Sequence, residues 1–202
     1  MIELKLVNFK TGEYACKNWH YSKSMPAGRK VIFGCWEDRS FIGVIIYSKG
    51  VNNNMTKFFN LKHTQICELT RIAFDKHKEA VSKFIAVSLK LLKRMCPGLK
   101  VIFSYADKDQ NHSGAIYKAS NFTYLGGNYG QTYHFIINGK KRHSRSVNQI
   151  MHQKYNVKSN LENIRKYLDK SAVKYFPKGK HLFTYCIDRS LENFIRTKAA
   201  IA

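Results

Sequence analysis

His20, Tyr21, Ser22 and Ser24 fall in the run Trp19-His20-Tyr21-Ser22-Lys23-Ser24-Met25-Pro26-Ala27-Gly28-Arg29, which gathers an imidazole, a phenol, two hydroxyls and two cations around a Pro and a Gly. Such groups suit proton transfer near neutral pH, hydrogen bonding and contact with a polyanion. Pro26 stops a helix and Gly28 weakens a strand, so the run is expected to be a rigid loop presenting its side chains. A solvated basic loop without chemistry is the plain alternative. Asp107 is a second candidate, because it follows the apolar run Val101-Ile102-Phe103-Ser104-Tyr105-Ala106 and ligands in open sheets gather past the carboxyl ends of strands. Glu68 lies inside the apolar stretch Gln65–Phe74, where it serves either chemistry or a core ion pair with Arg71 or Lys30.

Several elements must position these groups. Ile2–Phe9 alternates as a half-buried strand does, and Val31–Trp36 with Phe41–Ser48 reads as a central hairpin turning at Glu37-Asp38-Arg39-Ser40. The Asn52-Asn53-Asn54 loop leads to the strand Gln65–Phe74, which, if regular, sets Glu68 and Thr70 opposite Leu69 and Arg71. Ala80–Met95 has the i, i+3, i+4, i+7 apolar spacing of an amphipathic helix, ended by Pro97-Gly98. Then come the strand Val101–Ala106, a short helix Ser113–Ala119, and strands at Tyr124 and Thr132–Ile137. This order predicts a mixed α/β sheet flanked by helices rather than a doubly wound one.

Thirty-five Lys and Arg against 13 Asp and Glu give a formal charge of +22 over 202 residues, more than solubility requires, so a polyanion is the expected partner. The last 63 residues hold 15 Lys and Arg against 4 Asp and Glu. We therefore expect a catalytic domain over 1–139 and a basic extension over 140–202. Five scattered cysteines without a Cys-x-x-Cys pair read as reduced structural thiols. Neither a spanning apolar run nor a secretory signal is visible, which points to a soluble intracellular protein.

The element order, with a buried carboxylate on one strand and Tyr117 in the short helix beyond the next, resembles the GNAT acetyltransferase fold. A sharper resemblance rests on His20-Tyr21-Ser22-Lys23-Ser24-Met25-Pro26-Ala27-Gly28, Glu68-Leu69-Thr70-Arg71, Ser104-Tyr105-Ala106-Asp107, Gly114-Ala115-Ile116-Tyr117-Lys118-Ala119-Ser120-Asn121-Phe122 and the late Gly179-Lys180-His181. Together these resemble the Mom family of phage DNA-modification proteins. The resemblance implies an enzyme of the host cytoplasm that adds a carbamoylmethyl (acetamide) group to the exocyclic amine of adenine in double-stranded DNA, shielding it from restriction. It places functional groups at His20, Tyr21, Asp107 and Tyr117, and implies bound iron, for which His20 and Asp107 are the candidate ligands; no ligand spacing supports or opposes a metal.

Members of the wider fold hold the diphosphate of acetyl-CoA on a glycine-rich turn at a helix start. Here Asp75–Lys83 contains no glycine, leaving Lys76, Lys78, Ser82 and Lys83 as the groups to hold a cofactor. The family's product adds CH2-CO-NH2, the atoms of a glycyl residue, whereas acetyl transfer falls one nitrogen short. Glycyl-tRNA is therefore the second candidate donor beside acetyl-CoA.

Within this reading Asp107 grips or deprotonates the adenine amine, His20 shuttles a proton, and Tyr21 and Tyr117 donate to a carbonyl or stack on the base, with Glu68 and Ser104 in support. Each has a structural alternative: a helix-capping aspartate, a backbone-bonded histidine, half-buried tyrosines, a core carboxylate and a small strand residue. The target amine lies inside a duplex, so a flipped base is expected against Trp19, Tyr21, Tyr117 or Tyr129. Ser22, Lys23, Arg29, Lys140, Lys141, Arg142 and Arg145 are the expected DNA contacts, most of them to phosphate. A non-catalytic DNA-binding protein and a conventional N-acetyltransferase of a small amine or protein are the rival readings.

Overall fold

The computed structural model describes residues 1–50 and 54–201. The chain divides into two units, one of residues 1–106, 113–126 and 181–202, the other of residues 107–112 and 127–180. Positions 139 and 140 fall inside a hairpin of the second unit.

In the first unit, β1 (Ile2–Leu6), β2 (Lys30–Glu37), β3 (Ser40–Ser48) and β4 (Ile66–Phe74) pair antiparallel in sequence order. The β2–β3 turn puts Asp38 and Arg39 at φ 48° and 68°, the left-handed pair that suits a two-residue hairpin. β5 (Val101–Asp107) joins β4 in parallel, and beyond it lie β10 (Lys180–Cys186) and β6 (Thr123–Tyr124), giving a seven-stranded mixed sheet in the order β1-β2-β3-β4-β5-β10-β6.

Alternation along the central strands feeds two cores. Phe33, Ile45, Tyr47 and Leu69 meet Phe84, Ile85, Leu89 and Leu92 of α3 (Val81–Met95) on one face. Ile32, Val44, Ile46 and Ala73 meet Ala15 and Cys16 of α1 (Phe9–Trp19) on the other. Each such buried large side chain contributes about 1.5–3 kcal/mol of transfer free energy. α1 replaces the expected extension of β1 to Phe9: Asn8 caps it by accepting from Thr11 N at 3.0 Å, and Gly12 lets it close on Ile32 and Met25. Of the expected Asn52-Asn53-Asn54 loop, Asn52 and Asn53 lie outside the described residues and Asn54 opens α2 (Asn54–Phe59). The unit is completed by α4 (Ala115–Lys118) and α7 (Glu192–Ile201). The five cysteines are free, and burial pushes the Cys35 thiol up to about 12. Among the described residues no helix is long and apolar enough to cross a membrane.

The second unit has its own sheet, β8 (Lys140–His143), β7 (His134–Ile137) and β9 (Val173–Tyr175) in that spatial order. Asn138 and Gly139, at φ 50° and 69°, make the tight β7–β8 turn. Phe135 and Ile137 pack on Val147 and Met151 of α5 (Ser144–Tyr155) and Ile164 of α6 (Leu161–Tyr167). Asp109, on a 3-10 turn, accepts from Lys141 Nζ at 2.7 Å and from Lys178 N at 3.0 Å. Burial pushes its carboxyl up, but these bonds and one from Tyr175 outweigh that and hold it down at about 2.

A carboxyl depressed by folding stabilises above its unfolded value, and that contribution is lost as pH falls through the folded value. Asp109→Asn is expected to cost about 1–2 kcal/mol at pH 6, and the gap to wild type should shrink by about half at pH 3. Urea unfolding at the two pH values checks it; a gap independent of pH contradicts it.

Candidate active site

Several of the expected site residues lie on β4 and β5 or near where the two strands part. The two strands pair through Ile66–Glu68 and Val101–Phe103. Immediately beyond, Ser104 Oγ, fully buried, donates to the Leu69 carbonyl at 2.7 Å. Burial raises the Tyr117 phenol, the nearby Ser104 hydroxyl opposes, Tyr21 and Glu68 raise it further and Arg71 lowers it, leaving it at about 12. Tyr117 is therefore protonated at neutral pH, with Glu68, Arg71 and the Tyr21 phenol within electrostatic reach.

Local geometry fixes each member. Tyr117 stands in α4, whose N-cap Gly114 sits at φ 77° with a Cβ position already filled by the Phe183 ring, so that only glycine serves there. Its ring packs on Phe122 and Phe183, at centroid distances of 5.6 and 5.3 Å. The ring is buried among them, at 8% exposure. The register of β4 against β3 slips between Ile46 and Tyr47, leaving Thr70 as the extra residue. The regular strand expected from the sequence is thus broken: Leu69 faces the α3 core while Arg71 turns to the other side, where its Nε donates to Ser24 O at 3.3 Å. Arg71 so ties β4 to the loop that follows α1. Gly50, at φ 75°, lies against Glu68 Oε2, where a Cβ would collide.

That loop is built around His20, the C-cap of α1 and 8% exposed. Ser22 N donates to His20 Nδ1 at 3.1 Å, and Ser22 Oγ lies 2.8 Å from the same nitrogen. Nδ1 is therefore the acceptor, and the neutral ring carries its proton on Nε2. Tyr21 stacks on the imidazole at 4.3 Å between centroids and is half exposed. Trp19 is held in a cluster with Tyr14 and Phe41.

Five of the six expected catalytic residues, His20, Tyr21, Glu68, Ser104 and Tyr117, belong to the first unit, as does Arg71, which the sequence offered as a partner for Glu68 and within the Glu68-Leu69-Thr70-Arg71 motif. The bulge that turns Arg71 away from the α3 core leaves no mark in an apolar pattern. Asp107, the last residue of β5, is grouped with the second unit and accepts from Asp109 N at 3.0 Å, the turn-capping role that was its alternative. Among the expected DNA contacts, Ser22 faces inward to His20, and Lys23 Nζ donates to Asn18 O at 2.8 Å. Lys141 is committed to Asp109 and lies 4.0 Å over the Tyr175 ring. Arg29, Lys140, Arg142 and Arg145 are exposed. Tyr129, bridged to Lys180, belongs to the second unit.

The turn before α3 differs from the glycine-rich diphosphate turn expected of the fold. Asp75–Lys83 lacks glycine, and the Lys78 and Glu79 N–H groups, at 2.8 and 2.6 Å, already donate to the Glu37 carboxylate, itself 7% exposed. The carboxyl is held below the usual range, first by the Lys78 amide. Lys76 and Lys78 are exposed, Lys83 pairs with Glu79, and Ser82 is half-buried. Nor do His20 and Asp107 fit iron: among the described residues no three His, Cys, Asp or Glu side chains come together to hold a metal ion, and His20 Nδ1 faces Ser22.

A central mixed sheet with helices on both faces and a bulged β4 next to a parallel β5 is the arrangement of the GNAT acetyltransferase fold. Two solved variants of the spermidine N-acetyltransferase SpeG from Vibrio cholerae share it, one with a TM-score of 0.52 and 9% identity over 96% of this chain and 98% of that one. The other has a TM-score of 0.51 and 10% identity over 93% and 99%. A profile of the Mom protein family matches residues 1–200, and the chain belongs to that family. Methylcarbamoylase mom of Escherichia phage Mu is 25% identical over 135 residues, which are 65% of this chain. The match spans 55% of the length of that relative.

Nitrogen-15 NMR of the imidazole should show neutral His20 protonated at Nε2, and Ser22→Ala should mix the tautomers. A wild-type spectrum dominated by Nδ1–H contradicts the clamp.

Proposed function

We propose that this chain is a transferase that converts the exocyclic amine of adenine in double-stranded DNA to its carbamoylmethyl derivative, acting in the host cytoplasm to protect phage DNA from restriction. The observation that carries the reading is the family match over residues 1–200, together with the grouping of His20, Tyr21, Glu68, Ser104 and Tyr117 in one unit. The phage Mu relative's name, a methylcarbamoylase, supports the group transferred.

Adenine's exocyclic amine is conjugated into the ring and is a poor nucleophile. A base must take its proton while donors meet the oxyanion that forms at the attacked carbonyl. Asp107 grips and deprotonates the amine in this reading. His20, held neutral with Nε2–H, passes the proton toward the leaving group. Tyr117, protonated up to about pH 12, cannot be a base at neutral pH, so its hydroxyl positions the acyl group from within the β4–β5 gap. Tyr21, half exposed beside His20, is the ring suited to lie on a flipped adenine, and Arg71 keeps the loop that carries both against β4. Arg29, Lys140, Arg142 and Arg145 contribute phosphate contacts, which raise affinity without choosing sequence.

Mass spectrometry of nucleosides from cells expressing the chain tests this. A modified adenine with the added mass of CH2-CO-NH2 is expected from wild type. It should fall at least 100-fold in His20→Ala and in Asp107→Ala, with DNA retardation in gels retained. Unmodified DNA from wild-type cells contradicts the reading in favour of a non-catalytic DNA-binding protein.

A further inference from the structure

β1 is the end strand of the seven-stranded sheet in the first unit, and among the described residues no strand pairs on its other side. Across the β1–β2 pair, Asp38 N donates to Met1 O at 2.9 Å and Val7 N donates to Ile32 O at 3.0 Å. Antiparallel bonding alternates by residue, so Met1, Glu3, Lys5 and Val7 turn their backbone groups to β2. The N–H and C=O groups of Ile2, Leu4 and Leu6 therefore point outward along the edge. Such an edge is a template for another strand.

The strand Ile2-Glu3-Leu4-Lys5-Leu6 is the complement of its own reversed copy. Laid antiparallel on a second copy and centred on Leu4, it sets Leu4 opposite Leu4, Ile2 opposite Leu6 and Glu3 opposite Lys5. The three residues with outward backbone groups then form hydrogen-bonded pairs. Glu3 and Lys5 fall at the positions between, where side chains come closest, with Cα atoms about 4.5 Å apart. Sliding the copies to either neighbouring register sets Glu3 against Glu3 or Lys5 against Lys5, so charge selects the Leu4-centred one.

Exposed side chains agree with this register. Glu3 and Lys5 are exposed and pair with each other at 2.8 Å, so pairing of two copies exchanges that partner for one on the other chain. Leu6 is 58% exposed, and with Val7, Phe9 and Met95 it lines a groove of about 410 Å³. The register brings the partner's Ile2 onto Leu6 and the partner's Met1 onto Val7, covering apolar surface on both chains.

We propose that β1 is the interface between two copies of this chain, which pair edge to edge about a two-fold axis at Leu4 and continue one sheet through both. Two-fold pairing makes each contact twice, so the Glu3–Lys5 contact counts double. The inference is independent of the adenine reading. Each copy carries a formal charge of +22, which opposes association until salt screens it, whereas the cross-strand pairs lie within a Debye length.

Sedimentation velocity of the full chain at about 100 µM and about 0.3 M salt tests it. Wild type is expected to be a dimer. Glu3→Lys and Lys5→Glu should each weaken association about tenfold, since each sets like charges opposite one another at two places. Lys5→Glu lowers the net charge of both copies, so its effect cannot come from overall repulsion. An equimolar mixture of the two variants should dimerise again, because each chain supplies the charge the other lacks. Leu6→Pro, which removes an outward N–H and leaves the β2 ladder intact, should also be monomeric, with a circular dichroism spectrum like that of wild type. The proposal is overturned if wild type is a monomer, if the single variants dimerise as wild type does, or if their mixture stays monomeric.

Discussion

Two parallel strands that stop pairing after three residues set the terms for this molecule. Once β4 and β5 separate beyond Glu68 and Phe103, a carbonyl in the interior of the sheet loses its ladder partner, and a buried unpaired carbonyl costs on the order of 1–3 kcal/mol. Ser104 meets that demand by donating to Leu69 O. Its hydroxyl also lies close enough to the Tyr117 phenol to act on it electrostatically. The Thr70 bulge adds the second half: it turns Arg71 out of the α3 core and onto the carbonyl of Ser24, so the loop holding His20 is fastened to the same strand that opens the gap.

Charge is distributed with a matching logic. A chain with 35 cations and 13 acids keeps few carboxylates inside, and those it keeps hold backbone or lysine groups in place. Glu37 closes the turn before α3, Asp107 and Asp109 shape the 3-10 turn, and Asp109 draws Lys141 onto Tyr175. The cations left without such partners are the ones available to phosphate.

Most of the sheet was legible because its strands obey simple patterns. The β2–β3 hairpin, α3 and β5 stand where apolar alternation and spacing put them, and the His20 run is a loop because Pro26 and Gly28 allow little else. What escaped did so for physical reasons. α1 hides behind Gly12, which a propensity reading penalises and close packing on Ile32 requires. β10 lies deep in a lysine-rich tail, yet its Leu182, Phe183 and Thr184 are buried, because a strand inserted between β5 and β6 has both edges paired. Tyr117 and Ser104 were legible as candidates and not as neighbours, since 12 intervening residues carry no sign of their proximity. The bulge at Thr70 had no signal either; an apolar alternation with one residue too many looks like noise until the register is seen.

The hydroxyls of Ser104 and Tyr117 are the point at which fold and chemistry meet, and a double-mutant cycle measures their interaction directly. Urea unfolding of Ser104→Ala, Tyr117→Phe and the double variant should give a coupling energy of about 1 kcal/mol, within the range for polar groups in contact. Single-variant losses that add to within about 0.3 kcal/mol would contradict the account, because the tyrosine would then owe its place to ring packing alone.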